Sequence, residues 1–246
     1  MSVQHAIQIS GKLNSENQVS VSFTVLPGSD PYLLGCFIAV WKGKEFQSSA
    51  EALQLVRLVA NQQSGQVIFD NLNPDQQDYT IGFGLGLQTN SEVICAGLAL
   101  PLQADTSTDL QVMLSNISVI PDEIGTDFLV AQLPISFCNK VNLTSSWIAL
   151  FKGGFKPDMY TAGSHMIAMS KVNPDRNSGK VVMNNIRSSL ERFETYTMVL
   201  GMGFNDQGHP DFSKLVSSCT FIVWKSKIYA GQGAYTSPNS QLSVSL

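Results

Sequence analysis

One seven-residue segment occurs twice in this chain, as Phe37–Gly43 (FIAVWKG) and as Trp147–Gly153 (WIALFKG), and it constrains the fold more than any other feature. Four of the seven positions are identical, and the other three exchange one apolar side chain for another. The pair reads as the central strand of two copies of one domain. Two further pairs lie in the same order. Ser64–Leu72 (SGQVIFDNL) aligns with Ser178–Ile186 (SGKVVMNNI), and Asp78–Gly86 (DYTIGFGLG) with Thr195–Gly203 (TYTMVLGMG). The separation is 110 at Trp41 over Phe151, 114 at Phe69 over Met183 and 117 at Tyr79 over Tyr196. It grows only between elements, as it should if loops absorb insertions while strand registers are kept. An internal duplication is the expectation.

The segments between these anchors read as short strands. Val19, Val21, Phe23 and Val25 alternate with polar residues, the pattern of a half-buried strand, and PGSDP after them has turn chemistry. Ser48–Ala60 fits either a short Ser-capped helix or an alternating strand, and its counterpart Met166–Val172 favours the strand. Val93–Leu100 closes the first copy. LQVMLSNISVI should open the second copy as Ala6–Ser10 opens the first. The expected division is residues 1–105, residues 106–226, and a Gly-, Ser- and Tyr-rich tail over 227–246. Many short strands with turn signals between them predict an all-β chain with one sandwich per copy.

Composition narrows the function classes. With 14% charged residues and a net charge of −4, the chain lacks the basic footprint of a nucleic-acid binder. Its longest apolar run, Leu33–Trp41, is about half of what a bilayer-spanning helix needs, so no transmembrane segment is expected. The start, MSVQHAIQISGK, has no basic region followed by an apolar one, which predicts a cytoplasmic protein; release by a non-classical route stays open. The four cysteines, Cys36, Cys95, Cys138 and Cys219, have neither metal-ligand spacing nor the density of a disulfide framework, and read as buried thiols.

The order VSVSF, turn, FIAVW, hairpin, VIFDNLNP, DYTIGFGL is similar to fibronectin type III and related immunoglobulin-like domains. Leu72-Asn73-Pro74 leading to Tyr79 resembles that family's approach to its corner tyrosine, with one extra residue of spacing; the approach from Ile186 to Tyr196 is longer and has no proline. WIALFKG also resembles the central strand of SKICH-type domains. The resemblance implies two tandem immunoglobulin-like β-sandwiches and carries no activity with it.

No residue cluster reads as a catalytic centre. His5 and His165 have no second ligand at metal spacing, and no nucleophile elbow, Walker or dinucleotide motif occurs. Asp206, His209 and Asp211 in NDQGHPD could bind a metal or another ligand or act as acid and base, but the same residues are what a turn between two strands needs. No cofactor or metal is expected, and the chain is read as non-enzymatic. The strand faces carry the functional expectation. If Trp147, Ala149 and Phe151 face the core, then Ile148 and Leu150 point outward, as do Ile38 and Val40 in the first copy. They would lie beside the small residues Gly82, Gly84, Gly86, Val199 and Gly201. A flat apolar face of this kind predicts self-association into a homo-oligomer or ordered assembly, with Tyr229 and Tyr235 of the tail as a strap. The alternative is a recognition module that binds a protein, glycan or membrane, or acts as a toxin-like effector, through sandwich-end loops that include Phe155, Asp206, His209 and Asp211.

Overall fold

Alternating valines separated by serines set the first strands. Val19, Val21 and Phe23 are buried while Ser22 and Thr24 are exposed, so one face of their strand meets the interior and the other meets water. The computed structural model describes residues 3–15, 17–44, 46, 51–87, 93–106, 110–113, 117–124, 128–133, 146–161, 166–172, 179–184, 186, 190–191, 193–223 and 244–245. Its strands are β1 (Val3–Ala6), β2 (Gln8–Ser15), β3 (Gln18–Thr24), β4 (Phe37–Lys42), β5 (Gln54–Arg57), β6 (Ser64–Phe69), β7 (Tyr79–Gly84), β8 (Ile94–Leu100) and β9 (Gln111–Met113). They continue with β10 (Ser118–Ile124), β11 (Leu129–Gln132), β12 (Ser146–Lys152), β13 (Met166–Lys171), β14 (Lys180–Met183), β15 (Thr195–Met202), β16 (Leu215–Val223) and β17 (Val244–Ser245). Pro157–Thr161 forms a 3-10 turn.

The chain divides into two compact units. The first takes Ala6–Ser115 with Ser136–Asn142; the second takes Met1–His5, Asn116–Ile135 and Leu143–Leu246. The first unit holds a three-stranded sheet in the order β2-β3-β6 and a five-stranded sheet in the order β5-β4-β7-β8-β9. The second holds β10-β11-β14 and β1-β16-β15-β12-β13, with β17 also on β16. Read from the β13 edge, the second unit repeats the order of the first strand for strand. The pairings among β2 to β17 are antiparallel.

Two local devices recur in both units. The glycine that ends each repeated segment has a left-handed backbone, with φ of 101° at Gly43 and 97° at Gly153, and a side chain there would meet no atom within 4 Å. Backbone conformation rather than space therefore selects glycine. The Gly43 amide donates to the Asp78 carbonyl and Thr80 Oγ1 donates to the Gly43 carbonyl at 2.6 Å; Gly153 is held likewise by the Thr195 carbonyl and by Thr197 Oγ1 at 2.8 Å. Each unit also has a buried tyrosine whose hydroxyl accepts an upstream backbone amide. Asn73 donates to Tyr79 and Glu191 to Tyr196, both at 2.8 Å.

Ala6–Ser10, expected as one strand, is divided. β1 belongs with β16 in the second unit, and only Ile7 separates it from β2 in the first. Conversely β9, which leads towards the second unit, pairs with β8 in the first. Each unit thus receives the strand that precedes the other in the chain. The strand expected within Ser48–Ala60 is β5; the tail over 227–246 lies outside the described residues except for Val244–Ser245.

Candidate interaction surface

Cross-strand register decides which way each apolar residue points, because directly paired residues share a face. On β4 and β7 the pairs are Ile38 with Phe83 and Val40 with Ile81, and then Phe37 with Gly84 and Ala39 with Gly82. Phe83 meets Phe23 of the opposing sheet with ring centroids 5.9 Å apart, so Ile38 and Val40 lie on the inner face. In the second unit Ile148 pairs with Leu200 and Leu150 with Met198, while Trp147 pairs with Gly201. The outward placement of Ile38, Val40, Ile148 and Leu150 is therefore corrected. They face the sandwich interior, and the aromatic residues of the repeat face the other way.

Those outward aromatics are not bare. Phe37, Ala39, Trp41 and Ile94 form a buried cluster with Phe46, Ala52 and Val93 packed against it, and Phe46 meets Trp41 edge-on at 5.0 Å. In the second unit Phe212 lies 4.6 Å from Trp147 and 6.3 Å from Phe151, and Trp147 Nε1 donates to the Gly203 carbonyl at 3.0 Å. Each unit builds an aromatic layer over the outer face of its larger sheet.

The glycines are sites for these rings. A Cβ at Gly84 would overlap the Phe37 ring, one at Gly201 would overlap Trp147, and one at Gly82 would come within 2.8 Å of Ile94 and 2.9 Å of Phe46. Gly86 instead takes a left-handed backbone, φ 109°, which ends the alternation and leaves Leu87 exposed. Val199 is buried on the outer face beside Ala149. The flat face expected to recruit a second chain is already covered.

The expected ligand residues do not converge. Phe155 packs between His5 (5.4 Å) and Tyr160 (6.1 Å). In the loop Asn205–Asp211, Asn205 Oδ1 accepts the amides of Gln207 (3.0 Å) and His209 (2.9 Å), and the Asn205 amide donates to the His209 carbonyl. This is the turn chemistry of an Asx residue, and it leaves the Asp206 and His209 side chains in solvent. Asp211 Oδ2 pairs with Lys214 at 3.0 Å while its Oδ1 accepts from Ser213. These hydrogen bonds and the lysine hold the carboxyl below its usual range against the opposing effect of burial. Among the described residues no group of three His, Cys, Asp or Glu could hold a metal ion. Tyr229, Tyr235, His165 and Cys138 lie outside the described residues.

Burial pushes the thiol of Cys36 up to about 12, with Asp30 adding to it, and raises those of Cys95 and Cys219. All three are free, buried and neutral, as expected of inert core cysteines. An open cleft of about 380 Å³ in the second unit is lined by Leu133, Lys171, Gly179 and Lys180 among others. The Lys171 ammonium is turned over the Phe204 ring at 4.5 Å.

Sequence reasoning missed two surfaces. The first is the pair of free sheet edges. β5 pairs with β4 and β13 with β12, and neither has a second partner strand among the described residues. β5 exposes Leu55 and Val56, and β13 exposes Met166 and Met169. The charges that would blunt these edges are engaged elsewhere: Arg57 donates to the carbonyls of Gly35 (3.1 Å) and Leu87 (2.7 Å), and Lys171 rests on Phe204. The second surface is one end of the first unit. Val59 (83% exposed), Leu87 (79%), Leu33 (78%) and Tyr32 (56%) project there from segments that Arg57 ties together.

No family model matches the chain, and no curated protein matches it. Among the described residues no helix is long and apolar enough to cross a membrane.

Proposed function

We propose that this chain is a non-enzymatic interaction protein made of two immunoglobulin-like sandwiches that self-associates through the open edges of its larger sheets. The fold reading draws on the strand order, three strands facing a sheet in which β4 and β7 are central, and on the corner tyrosines Tyr79 and Tyr196. The observation that carries the functional reading is that both larger sheets end, at the same topological position, on an apolar edge with no further partner strand among the described residues. An exposed edge offers a row of free N–H and C=O groups to another strand, and proteins that stay monomeric usually blunt it with lysine or proline. β5 and β13 contain no proline, and their one cation each is occupied.

A second reading, recognition of another molecule, is favoured by the exposed apolar tip of Tyr32, Leu33, Val59 and Leu87. Clustered exposed apolar side chains on loops held by a rigid scaffold are a usual form of binding surface. Sedimentation across a concentration series separates the two. Self-association that is lost in a Val56→Lys, Met169→Lys double variant supports the edges. A monomer at all concentrations ends the assembly reading. Binding to a glycan array or to lipid vesicles that disappears in Leu33→Ser, Leu87→Ser, with sedimentation unaltered, favours recognition.

A further inference from the structure

We infer that the apolar tip of the first unit is a membrane anchor, whose four projecting side chains enter one leaflet of a lipid bilayer at its interface. The inference rests on the recognition reading of that tip and names its ligand class. Val59 (83% exposed), Leu87 (79%), Leu33 (78%) and Tyr32 (56%) stand out from the fold. Exposures this high belong to side chains that project from a surface and not to the lining of a groove. They come from three segments that are fixed to one another. Arg57 reaches the carbonyls of Gly35 and Leu87, and the Leu58 amide donates to the Cys36 carbonyl at 2.9 Å. A Cβ at Gly35 would come within 2.8 Å of Leu87 Cδ2, so Leu87 lies against the loop that carries Tyr32 and Leu33. The projection is preformed.

The backbone beneath these side chains favours lipid over a protein or glycan ligand. Below its headgroups a bilayer offers no hydrogen bonds, so a segment that enters must satisfy its own N–H and C=O groups. The loop from Asp30 to Cys36 does this for four consecutive amides. The Leu33 amide donates to Asp30 Oδ1 and the Leu34 amide to the Asp30 carbonyl, both at 3.0 Å. The Gly35 amide donates to the Tyr32 carbonyl at 3.0 Å and the Cys36 amide to the Pro31 carbonyl at 2.9 Å. The Arg57 guanidinium covers the carbonyls of Gly35 and Leu87 at 3.1 and 2.7 Å. Asp30 and Arg57, the two charged residues of these segments, are thus both engaged within the tip. Tyr32, with a hydroxyl at the end of its ring, is the residue type that settles at headgroup level.

Two leucines, a valine and a tyrosine together offer apolar carbon comparable to one fatty chain, which binds bilayers reversibly with a constant of about 10⁴ M⁻¹. Half of the protein should therefore be bound at about 0.1 mM accessible lipid. The chain carries a net charge of −4 and the tip has no basic cluster, so anionic headgroups add nothing to the attraction.

The test floats the full chain with phosphatidylcholine vesicles and, in parallel, with vesicles in which about one third of the lipid is phosphatidylserine. Equal flotation on both, unchanged by salt, is expected. Leu33→Ser with Leu87→Ser should lower the partition coefficient by about tenfold or more, the scale of one leucine withdrawn from apolar surroundings. Its urea midpoint should stay in place, because both side chains are exposed. In Leu87→Trp, lipids brominated on the acyl chain should quench the new fluorescence. Failure to float at about 1 mM lipid of either kind, ten times the expected half-point, overturns the inference. So does flotation undiminished in the double serine variant, flotation that requires phosphatidylserine and vanishes in salt, or an unquenched tryptophan at position 87. Glycan-array binding that is lost in the double serine variant, without any flotation, would overturn the lipid ligand and leave the recognition reading standing. Absence of both ends the two together.

Discussion

Gly84 and Gly201 owe their identity to the rings that sit on them. Phe37 and Trp147 lie across the strand from these glycines, and glycine gives up the strand propensity of a side chain to let an aromatic ring cover the backbone. Alanine at either position would force the ring aside within a buried, already filled layer. Gly84→Ala and Gly201→Ala should each destabilise by about 1–3 kcal/mol, the usual cost of overpacking. Gly154, where a Cβ would meet no atom within 4 Å, is the control, and Gly154→Ala should stay within about 0.5 kcal/mol. Urea unfolding midpoints of the three variants decide this. Equal stability of all three would remove the ring-over-glycine account. A bulky charged residue at Gly84 or Gly201, attractive as a probe if those glycines faced solvent, would instead break the sandwich.

Strand existence was legible at the level of elements and strand orientation was not. The alternation in β3 and the repeated segments announced β3, β4, β7, β12 and β15, because period-2 burial and apolar runs are local properties. β4 and β12 are apolar on both faces, so their own residues carry no parity signal. A one-residue change of register then turns Trp147 and Ile148 to opposite sides. The inner placement of Ile38 and Ile148 followed only from their pairing with Phe83 and Leu200. The free edges were illegible for a related reason, since whether β5 has a second neighbour is a property of topology and not of QLVR. The corner before β7 was partly legible, as Leu72-Asn73-Pro74 before Tyr79 suggested it. Its hydroxyl accepts the Asn73 amide at 2.8 Å and Gln77 Nε2 at 2.7 Å. Tyr79→Phe keeps the ring and removes only that acceptor, so it should cost about 0.5–1.5 kcal/mol with the far-ultraviolet spectrum unchanged. Tyr196→Phe should cost a similar amount through the Glu191 amide. A cost near zero in both would mean that the hydroxyl only decorates a corner fixed by other contacts.

Across the whole molecule, the two units share one strand order, and β1, which opens the chain ahead of the first unit, completes the larger sheet of the second, while β9 completes that of the first. No local pattern in the sequence could show this, because VQHA reads as a strand whichever sheet receives it. The placement of β1 in the second unit predicts an asymmetric response to truncation. Removing residues 1–5 takes away the edge partner of β16 together with the contacts of Gln4 with Cys219 and of His5 with Phe155, all in the second unit. It takes nothing from the sheets of the first unit, whose strands begin at Gln8. Each unit has a buried tryptophan in its central strand, Trp41 in β4 and Trp147 in β12, so tryptophan fluorescence can report on each. In a Trp147→Phe, Trp224→Phe background that keeps Trp41 as the reporter, truncation should leave the urea midpoint in place. With Trp147 as the reporter, in a Trp41→Phe, Trp224→Phe background, the midpoint should fall by the equivalent of about 1–3 kcal/mol, the scale of a few lost backbone and side-chain hydrogen bonds. A fall at Trp41 with Trp147 unmoved would place β1 on the wrong unit.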